Sequence, residues 1–389
     1  MALTFDEHLP RITELRHQLH QSAEVSGSEE ATAEIIKKFL KKEAKPDSLK
    51  AEVGGHGLFA TYNGSSEETH IMLRCELDGL PIEDDIDADY RAKTQGVGHK
   101  CGHDGHMAIL CGVAKKLAAD PPASAKVTLL FQPAEETGQG AQQIMQDDTF
   151  QQLQPDYCFA LHNLPGFTRN ELIIREGVFA AASVGLEVNL SGATSHAAHP
   201  EEGRSPAMAM AQLVQSLSAV PQFYSPLDQA AKVTVVSAGL GQEAFGTSPG
   251  KATVRATLRT YDNKHLDRLK KRCVDLAEKL SATYDIDMTY RWVEEFAATK
   301  NDRQAVQTIC KAAKKQNIKI HKKNRPFSWS EDFGRFTEKI DGAIFGIGAG
   351  KKQPALHNKK YDFPDELISS GVAMFLAIIA EVSAQNSRP

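Results

Sequence analysis

The order of apolar segments constrains the fold of this chain more than any other feature. Up to about residue 182, predicted helices and strands alternate, which indicates a largely parallel or mixed α/β sheet. The helices are predicted near residues 10–21, 28–42 and 106–118, and the strands near residues 58–62, 71–77, 126–132 and 157–161. A chain of 389 residues exceeds what one hydrophobic core usually serves, so we expect two domains.

The rhythm of the pattern changes near residue 182. The next segments read as strand 184–190, helix 205–219, strands 231–238 and 250–260, helix 264–282 and strand 285–293. This βαββαβ order predicts a ferredoxin-like insert over residues 183–293. Helix 303–315, strand 342–347 and a final helix near 364–381 then return to the first domain. The expected organisation is a discontinuous domain of residues 1–182 and 294–389, interrupted by the insert.

Residues 98–106 concentrate a thiol, three imidazoles and a carboxylate in a short stretch. Cys101 and His103 stand two positions apart, and Gly102 and Gly105 allow tight turns, so both side chains can face one metal ion from a loop. We place this loop before the helix at 106–118, where the helix dipole favours a thiolate at Cys101. A Cys-x-His pair by itself fits a polar surface loop equally well.

Further candidate ligands follow other predicted strands. Glu135 and Glu136 come after strand 126–132, and His162 follows strand 157–161. In open α/β sheets, ligands bind at the carboxyl edge of the strands, so these side chains are expected to share one site. A set of five is more than one tetrahedral structural zinc needs, and it fits two divalent ions that share a bridging water. This set comprises Cys101, His103, Glu136, His162 and His357.

The neighbouring carboxylate, Glu135, is left over from this ligand set. Adjacent residues on extended backbone point to opposite sides, so Glu135 can reach the same water only from a turn. Pro133 and Gly138 favour such a turn. The expected role of Glu135 is that of a general base toward the water, and then of an acid toward a leaving nitrogen.

Five short segments, taken in order, resemble one family of metallohydrolases. They are Arg-Cys-Glu-Leu-Asp-Gly-Leu-Pro at 74–81, Cys-Gly-His-Asp-Gly-His at 101–106, Pro-Ala-Glu-Glu at 133–136, His-Asn-Leu-Pro-Gly at 162–166 and Leu-His-Asn at 356–358. The resemblance is to the amidohydrolase branch of the aminoacylase and carboxypeptidase-type enzymes. Hippurate hydrolases, N-acetyl-amino-acid deacetylases and auxin-conjugate hydrolases belong to this branch. The fold implied is a two-metal exopeptidase-like α/β/α catalytic domain with an inserted ferredoxin-like α+β lid domain.

The resemblance also implies roles for individual residues. The metal ligands of the family fall on the five residues named above, and its catalytic base falls on Glu135. Asp78 matches an Asp that orients a ligand. His196 matches a histidine that stabilises the oxyanion and can reach the active site of a partner subunit, so a homodimer formed through the insert is implied. Arg259 matches an arginine that can pair with a substrate carboxylate.

Three positions depart from the family pattern. Cys75 and Glu76 stand where Ala and Asp are usual. Gly246 stands where the family commonly has an Asn that bonds the substrate, and the loss of such a bond would cost ~1.5–3 kcal/mol. The substrate therefore differs, or another group replaces the missing amide.

The function expected from these observations is amide hydrolysis. The enzyme would cleave N-acyl amino acids or similar small conjugates to a carboxylic acid and a free amino acid, using a metal-activated water with Glu135 as general base. Zinc or manganese fits the donor set best, and cobalt or nickel is also compatible. A dipeptidase or aminopeptidase on the same scaffold, and a catalytically weak relative that binds metal and ligand, remain alternatives.

Composition limits the partners. A net charge of -5 and a pI near 6.3 provide no field that would recruit nucleic acid or an anionic membrane. No stretch is expected to reach the ~18 apolar residues of a membrane span. The six cysteines lie far apart without a disulfide framework, which favours a reducing cytoplasm.

Overall fold

This computed structural model describes residues 7–66 and 69–386, and the chain divides into two units. Unit 1 comprises Met1–Phe179, Thr299–Pro326 and Asp332–Pro389, and unit 2 comprises Ala180–Ala298 and Phe327–Glu331. The insert expected at 183–293 lies inside unit 2. The short return of the chain at Phe327–Glu331 is not predicted, because this segment carries no helical or strand pattern.

Unit 1 is built on an eight-stranded mixed sheet with the order β1-β2-β4-β3-β5-β16-β6-β15. Its strands are β1 (Ser48–Val53), β2 (Gly57–Tyr62), β3 (His70–Glu76), β4 (Lys126–Gln132), β5 (Tyr157–Pro165), β6 (Leu172–Ile174), β15 (Ile320–Lys322) and β16 (Asp341–Gly350). The four central strands β4, β3, β5 and β16 are parallel, so their carboxyl ends share one edge. Strand β6 runs antiparallel to β16 and parallel to β15. The α/β fold class predicted from the sequence is confirmed.

Helices cover this sheet and supply its core. They are α1 (Leu9–Gln21), α2 (Glu30–Phe39), α3 (His103–Ala119), α4 (Gly140–Gln146), α5 (Asp148–Gln151), α8 (Arg303–Lys315), α9 (Gly334–Thr337) and α10 (Leu367–Asn386). Helix α3 packs between α1 and α10, and almost every residue in its first three turns is buried. The central strands are buried on both faces, as expected for near-continuous apolar runs such as β4.

Helix α10 corrects one expectation. Its segment Leu367–Ala384 is long and apolar enough to cross a membrane, whereas no run of this kind is expected from the sequence. Most of this segment is buried against the core of unit 1, and α10 packs on α3 and α8. A buried core helix accounts for this apolar character.

Unit 2 contains a four-stranded antiparallel sheet with the order β10-β12-β8-β13. The strands are β8 (Ala182–Ser191), β10 (Ala231–Leu240), β12 (Lys251–Thr260) and β13 (Asp287–Phe296), and the helices are α6 (Ala207–Tyr224) and α7 (Asn263–Thr283). The chain order is therefore βαββαβ, as predicted. Two pairs of short strands lie outside the large sheets, namely β9 (Ser195–His196) with β11 (Thr247–Ser248), and β7 (Gly177–Ala180) with β14 (Thr299–Asn301).

The main local difference concerns the start of α3. The sequence predicts a loop through Cys101 and His103 and a helix from residue 106, but α3 begins at His103. Gly102 precedes it with a φ of 92°, a conformation that glycine adopts at no steric cost. The left-handed residue, rather than a longer loop, separates Cys101 from the helix.

Candidate metal centre

All five candidate metal ligands come together at the carboxyl edge of the central strands of unit 1. Cys101, His103 and His162 offer ligand atoms within 4.8 Å of one another. The same holds for Cys101, Glu136 and His357, and for His103, Glu135 and Glu136. The three groups overlap, as two neighbouring cation positions with a shared carboxylate would require.

His103 is a candidate ligand whose orientation is fixed by contacts with Asp78. Its Nδ1 donates to the backbone carbonyl of Asp78 at 2.9 Å and lies 3.3 Å from Asp78 Oδ1. Its Nε2 is buried and has no hydrogen-bond partner among the described residues. A side chain at Gly102 would meet the Asn163 amide at 2.4 Å, so glycine is required where the chain enters α3. A buried imidazole nitrogen without a hydrogen bond is what a metal ligand presents.

The acidic pair lies in a tight turn after β4. Ala134 has a φ of 52°, and its N–H donates to Glu29 Oε1 at 2.8 Å. The Glu136 N–H donates to Asp78 Oδ2 at 2.9 Å, and the Asp332 N–H donates to Glu135 Oε1 at 3.3 Å. This turn removes the alternation of extended backbone, so the two adjacent carboxylates face the same region.

His162 enters the site from β5. Its Nδ1 donates to the Asn163 carbonyl at 2.8 Å, and its Nε2 lies 3.5 Å from Cys101 Sγ. Burial lowers the pKa of His162 to about 3, so its ring is neutral at physiological pH. A neutral imidazole with one nitrogen held by a carbonyl is the form that binds a metal ion.

His357 enters from a turn before α10. It has a φ of 63°, in the left-handed region, and its N–H donates to the Lys100 carbonyl at 2.8 Å. This backbone hydrogen bond fixes the turn against the loop that carries Cys101. The side chain of His357 is half exposed, and its Nε2 lies 3.6 Å from Glu136 Oε2. The candidate site therefore has one solvent-facing side.

The charges of the site favour a cation. Burial raises the pKa of the Cys101 thiol well above its usual range, and the nearby Glu136 and Glu135 carboxylates raise it further. The helix dipole alone therefore does not produce the expected thiolate. Burial opposes protonation of His103, but the charges of Glu76 and Asp78 outweigh this effect and raise its pKa to about 10. Divalent ions would replace these protons and neutralise the carboxylates, so the residues fit a metal pair.

Two buried residues beside the ligands have roles that the sequence does not predict. His106 Nδ1 lies 2.6 Å from Glu76 Oε2, and His106 Nε2 accepts from the Asn163 N–H at 3.2 Å. Glu76 also pairs with the buried Arg74. Both ring nitrogens of His106 therefore have hydrogen-bond partners, and the ring forms part of the wall of the candidate site. The position of Glu76 at the end of β3 was the available signal.

A buried ionic cluster supports the start of α3. Asp104, the residue after His103, lies 2.8 Å from Arg16 Nε and 2.7 Å from His20 Nδ1. His20 Nε2 lies 3.0 Å from Asp84, which also pairs with the buried Lys100. Helix α1 supplies Arg16 and His20 one turn apart, so one helical face ties several loops to the candidate centre.

The other predicted site residues lie in unit 2. His196 is exposed on β9, and its Nδ1 accepts from the Ala198 N–H at 3.0 Å. Gly246 is paired with the same loop through Ala197, and a Cβ added at Gly246 would meet nothing within 4 Å. Arg259 donates to the Ser328 carbonyl and lines a cavity of about 170 Å³.

Two named hydrolases resemble nearly the whole chain. An N-acetyl-L-cysteine deacetylase from Bacillus subtilis is 32% identical over 86% of this chain and 79% of that protein. A hippurate hydrolase from Campylobacter jejuni is 27% identical over 93% of this chain and 94% of that protein. Both names describe hydrolysis of an N-acylated amino acid by those proteins.

A solved structure and a family model agree with this likeness. A dinuclear metal-binding peptidase of the M20 family from Bacillus subtilis shares the fold, with a TM-score of 0.80, 22% identity, and coverage of 97% of this chain and 99% of that one. The family model for peptidase family M20/M25/M40 matches residues 72–381. The chain is therefore a member of the M20 family of metallohydrolases.

Proposed function

We propose that this protein hydrolyses the amide bond of N-acyl amino acids or similar small conjugates, releasing a carboxylic acid and a free amino acid. The observation that carries the proposal is the convergence of Glu135 with Cys101, His103, Glu136, His162 and His357. A site for ligand binding alone would not need a second carboxylate beside the ligands. The names of the relatives support amide substrates of this size.

The five ligands would hold two divalent cations, zinc or manganese by preference. When bound, such ions lower the pKa of water and polarise a carbonyl group. Glu135 would take the proton from the attacking water and pass it to the leaving nitrogen. The hydrogen bond from the Asp332 N–H keeps one oxygen of Glu135 in place, and the second oxygen serves the proton transfer. Asp78 would keep His103 in the tautomer that offers Nε2.

Two residues of unit 2 are proposed to bind the substrate. Arg259 would receive the substrate carboxylate, since no Asp or Glu side chain of the described residues forms a salt bridge with it and its guanidinium lines a small cavity. His196 would stabilise the oxyanion, as the family resemblance implies. Its exposed ring is available to a substrate or to a second subunit.

A homodimer formed through unit 2 is also proposed. Strand β10 lies at the edge of its sheet and carries exposed apolar side chains, including Val236 at 60% exposure. Helix α6 adds Met208 and Phe223, which are 55% and 74% exposed. An open edge strand with apolar side chains favours pairing with another chain. Sedimentation velocity of the protein would show a single dimeric species, and a monomer at all concentrations would contradict this part.

The function is tested by metal content and turnover measured on the same preparation. We expect two divalent ions per chain by elemental analysis, and metal-dependent release of free amino acid from a panel of N-acetyl, N-benzoyl and dipeptide substrates. Glu135→Gln should keep the metals and lose ~10²–10⁴-fold in turnover. The exposed Glu366→Gln, which changes an ion pair with Arg169, is the matched control.

The outcomes separate the alternatives. Full metal content without turnover on any substrate would favour a binding role. Faster release from dipeptides than from acylated amino acids would favour a peptidase. Normal turnover of Glu135→Gln would show that the assigned base is wrong.

A further inference from the structure

A second cavity of unit 1 is strongly basic. It has a volume of about 700 Å³, and its twelve lining residues include six cationic side chains and one carboxylate. The cations are Arg175, Arg303, Lys311, Lys314, Lys322 and Lys323. Small-molecule sites commonly have volumes of ~300–1,000 Å³. The whole chain carries a net charge of -5, so this concentration of positive charge is local.

The fold brings these cations together from three elements. Lys322 of β15 pairs in register with Ile174 of β6, and the Lys323 N–H donates to the Ile174 carbonyl at 2.9 Å. Arg175 directly follows β6, so it stands beside Lys323 where both strands end. Helix α8 supplies the other three cations from positions 303, 311 and 314.

This cavity lies at the sheet edge opposite the candidate metal centre. Strand β16 runs parallel to β5 and antiparallel to β6, so the carboxyl ends of β6 and β15 point away from those of the central strands. Crevices at the carboxyl ends of strands are where ligands bind in open α/β sheets. The cavity is therefore a separate candidate site, unrelated to the metal ligands.

Three of the six cationic side chains have no counter-charge among the described residues. Across the described residues, Lys311, Lys314 and Lys322 form neither hydrogen bonds nor ion pairs through their side chains. Arg303 lies 3.8 Å from Glu176, the one acidic residue of the lining. Arg175 donates to the backbone carbonyls of Glu176 and Val178. Its buried Nε has no hydrogen-bond partner among the described residues. Like charges gathered without counter-charges cost stability that a bound anion would recover.

Lys314 and Lys322 line the cavity together with Cys310. Burial raises the pKa of the Cys310 thiol, whereas the positive charges of Lys322 and Lys314 oppose that rise. The two lysines come from different elements, so their proximity depends on the tertiary fold. They are the pair whose replacement would best remove the charge of the cavity.

We propose that this cavity binds a small organic anion that carries two separate phosphate groups and no nucleobase. Guanidinium groups bind phosphate oxygens in a bidentate manner, and lysines add point charges around them. The lining residues include no aromatic ring, so the cavity lacks the stacking surface that a nucleobase would use. A concave site also suits a small ligand better than a nucleic acid strand.

The test is isothermal titration calorimetry of the metal-loaded protein with fructose 1,6-bisphosphate. ADP is the second probe, and a single-stranded RNA oligomer is the third. Lys314→Glu/Lys322→Glu is compared with Lys41→Glu/Lys42→Glu, which makes the same change in net charge at exposed positions outside the cavity. Elemental analysis after each titration verifies that the metals remain bound.

We expect saturable binding of the sugar bisphosphate at one site per chain, with ADP weaker. The cavity variant should lose at least ~10-fold in affinity, which is ~1.4 kcal/mol, and the control variant should keep it. Equal losses in both variants, or no saturable binding of either phosphate probe, would overturn the proposal. Tighter binding of ADP or RNA than of the sugar bisphosphate would also contradict it. If the charge-reversed variant does not fold, Lys314→Gln/Lys322→Gln replaces it.

Discussion

At the scale of single residues, the candidate centre depends on Asp78. One of its oxygens accepts from Ser26 Oγ at 2.7 Å and from the Glu136 N–H at 2.9 Å, while the other lies 3.3 Å from His103 Nδ1. Asp78 thus orients one candidate ligand through its imidazole and another through its backbone. Residues that orient metal ligands without binding the ion have large effects on affinity.

We predict that Asp78→Asn lowers metal affinity by ~10–100-fold, because the amide cannot hold the imidazole and the turn in the same way. Competition with a chromophoric chelator measures this affinity. Asp85→Asn, at a partly exposed residue paired with Lys359, is the control and should change little. Unchanged metal affinity in Asp78→Asn would show that Asp78 does not orient the metal ligands.

Gly246 gives a second prediction at this scale. Since a Cβ there meets nothing within 4 Å, Gly246→Asn should fold normally. If the substrate lacks an amide partner in this chain, the new side chain should raise kcat/KM for N-acyl amino acids ~10-fold, the value of one hydrogen bond to a charged group. Comparing the steady-state kinetics of Gly246→Asn with those of Gly246→Ala separates the effect of the amide group from the effect of adding a Cβ. Equal kinetics of the two variants would show that this position does not contact the substrate.

At the scale of elements, helix α1 secures the entry to α3. Burial raises the pKa of the Asp104 carboxyl, but the charges of Arg16 and His20 outweigh this effect and hold it well below its usual range. Such a carboxylate contributes stability above its unfolded pKa of ~3.9, and this contribution is lost as the pH falls through the folded value. Acid should therefore weaken the contact between α1 and the start of α3.

We predict that Arg16→Gln lowers the free energy of unfolding by ~3–5 kcal/mol at pH 7, because it leaves Asp104 buried without its main partner. Between about pH 5 and pH 2, the free energy of unfolding should also fall less steeply in this variant than in the wild type, because the pKa of Asp104 is then lowered less. Urea unfolding of chelator-treated protein at several pH values measures both effects. Arg169→Gln, which removes an exposed pair, should cost less than ~1 kcal/mol. Parallel pH curves for Arg16→Gln and the wild type would contradict the proposed role.

The sequence predicted the elements that have strong apolar patterns and missed those that depend on tertiary contacts. Strand β4 was clear because nearly all of its residues are apolar and buried. Strand β15 has three residues, two of them exposed, so its sequence carries no strand signal. The candidate ligands were found because they follow strong strands. The basic cavity was missed because its cations are separated along the chain and meet only through the pairing of β6 with β15.

At the scale of the whole molecule, all five candidate ligands belong to unit 1. Metal binding should therefore stabilise this unit directly, by an amount that grows with the logarithm of the metal concentration. The sheet of unit 2 contributes none of these side chains. The two units should respond differently when the metals are removed.

We predict that EDTA accelerates amide hydrogen exchange at residues 101–106, 134–138 and 356–363, while the rates in β8, β12 and β13 stay the same. Exchange of the loaded and the chelated protein, followed by mass spectrometry, measures both regions at once. Reloading with the original metal should restore protection. A uniform change across both units, or none near the ligands, would show that the candidate centre does not hold the metals.

The position of His357 has a consequence for biosynthesis. Cys101, His103, Glu136 and His162 all precede unit 2 in the chain, whereas His357 follows it and reaches the centre through a turn on Lys100. A ribosome must therefore translate the whole of unit 2, and strand β16 after it, before the last ligand can join the others. A nascent or truncated chain would hold an incomplete set of ligands. Late assembly of this kind would keep an unfinished chain from completing the candidate metal centre before unit 2 has been made.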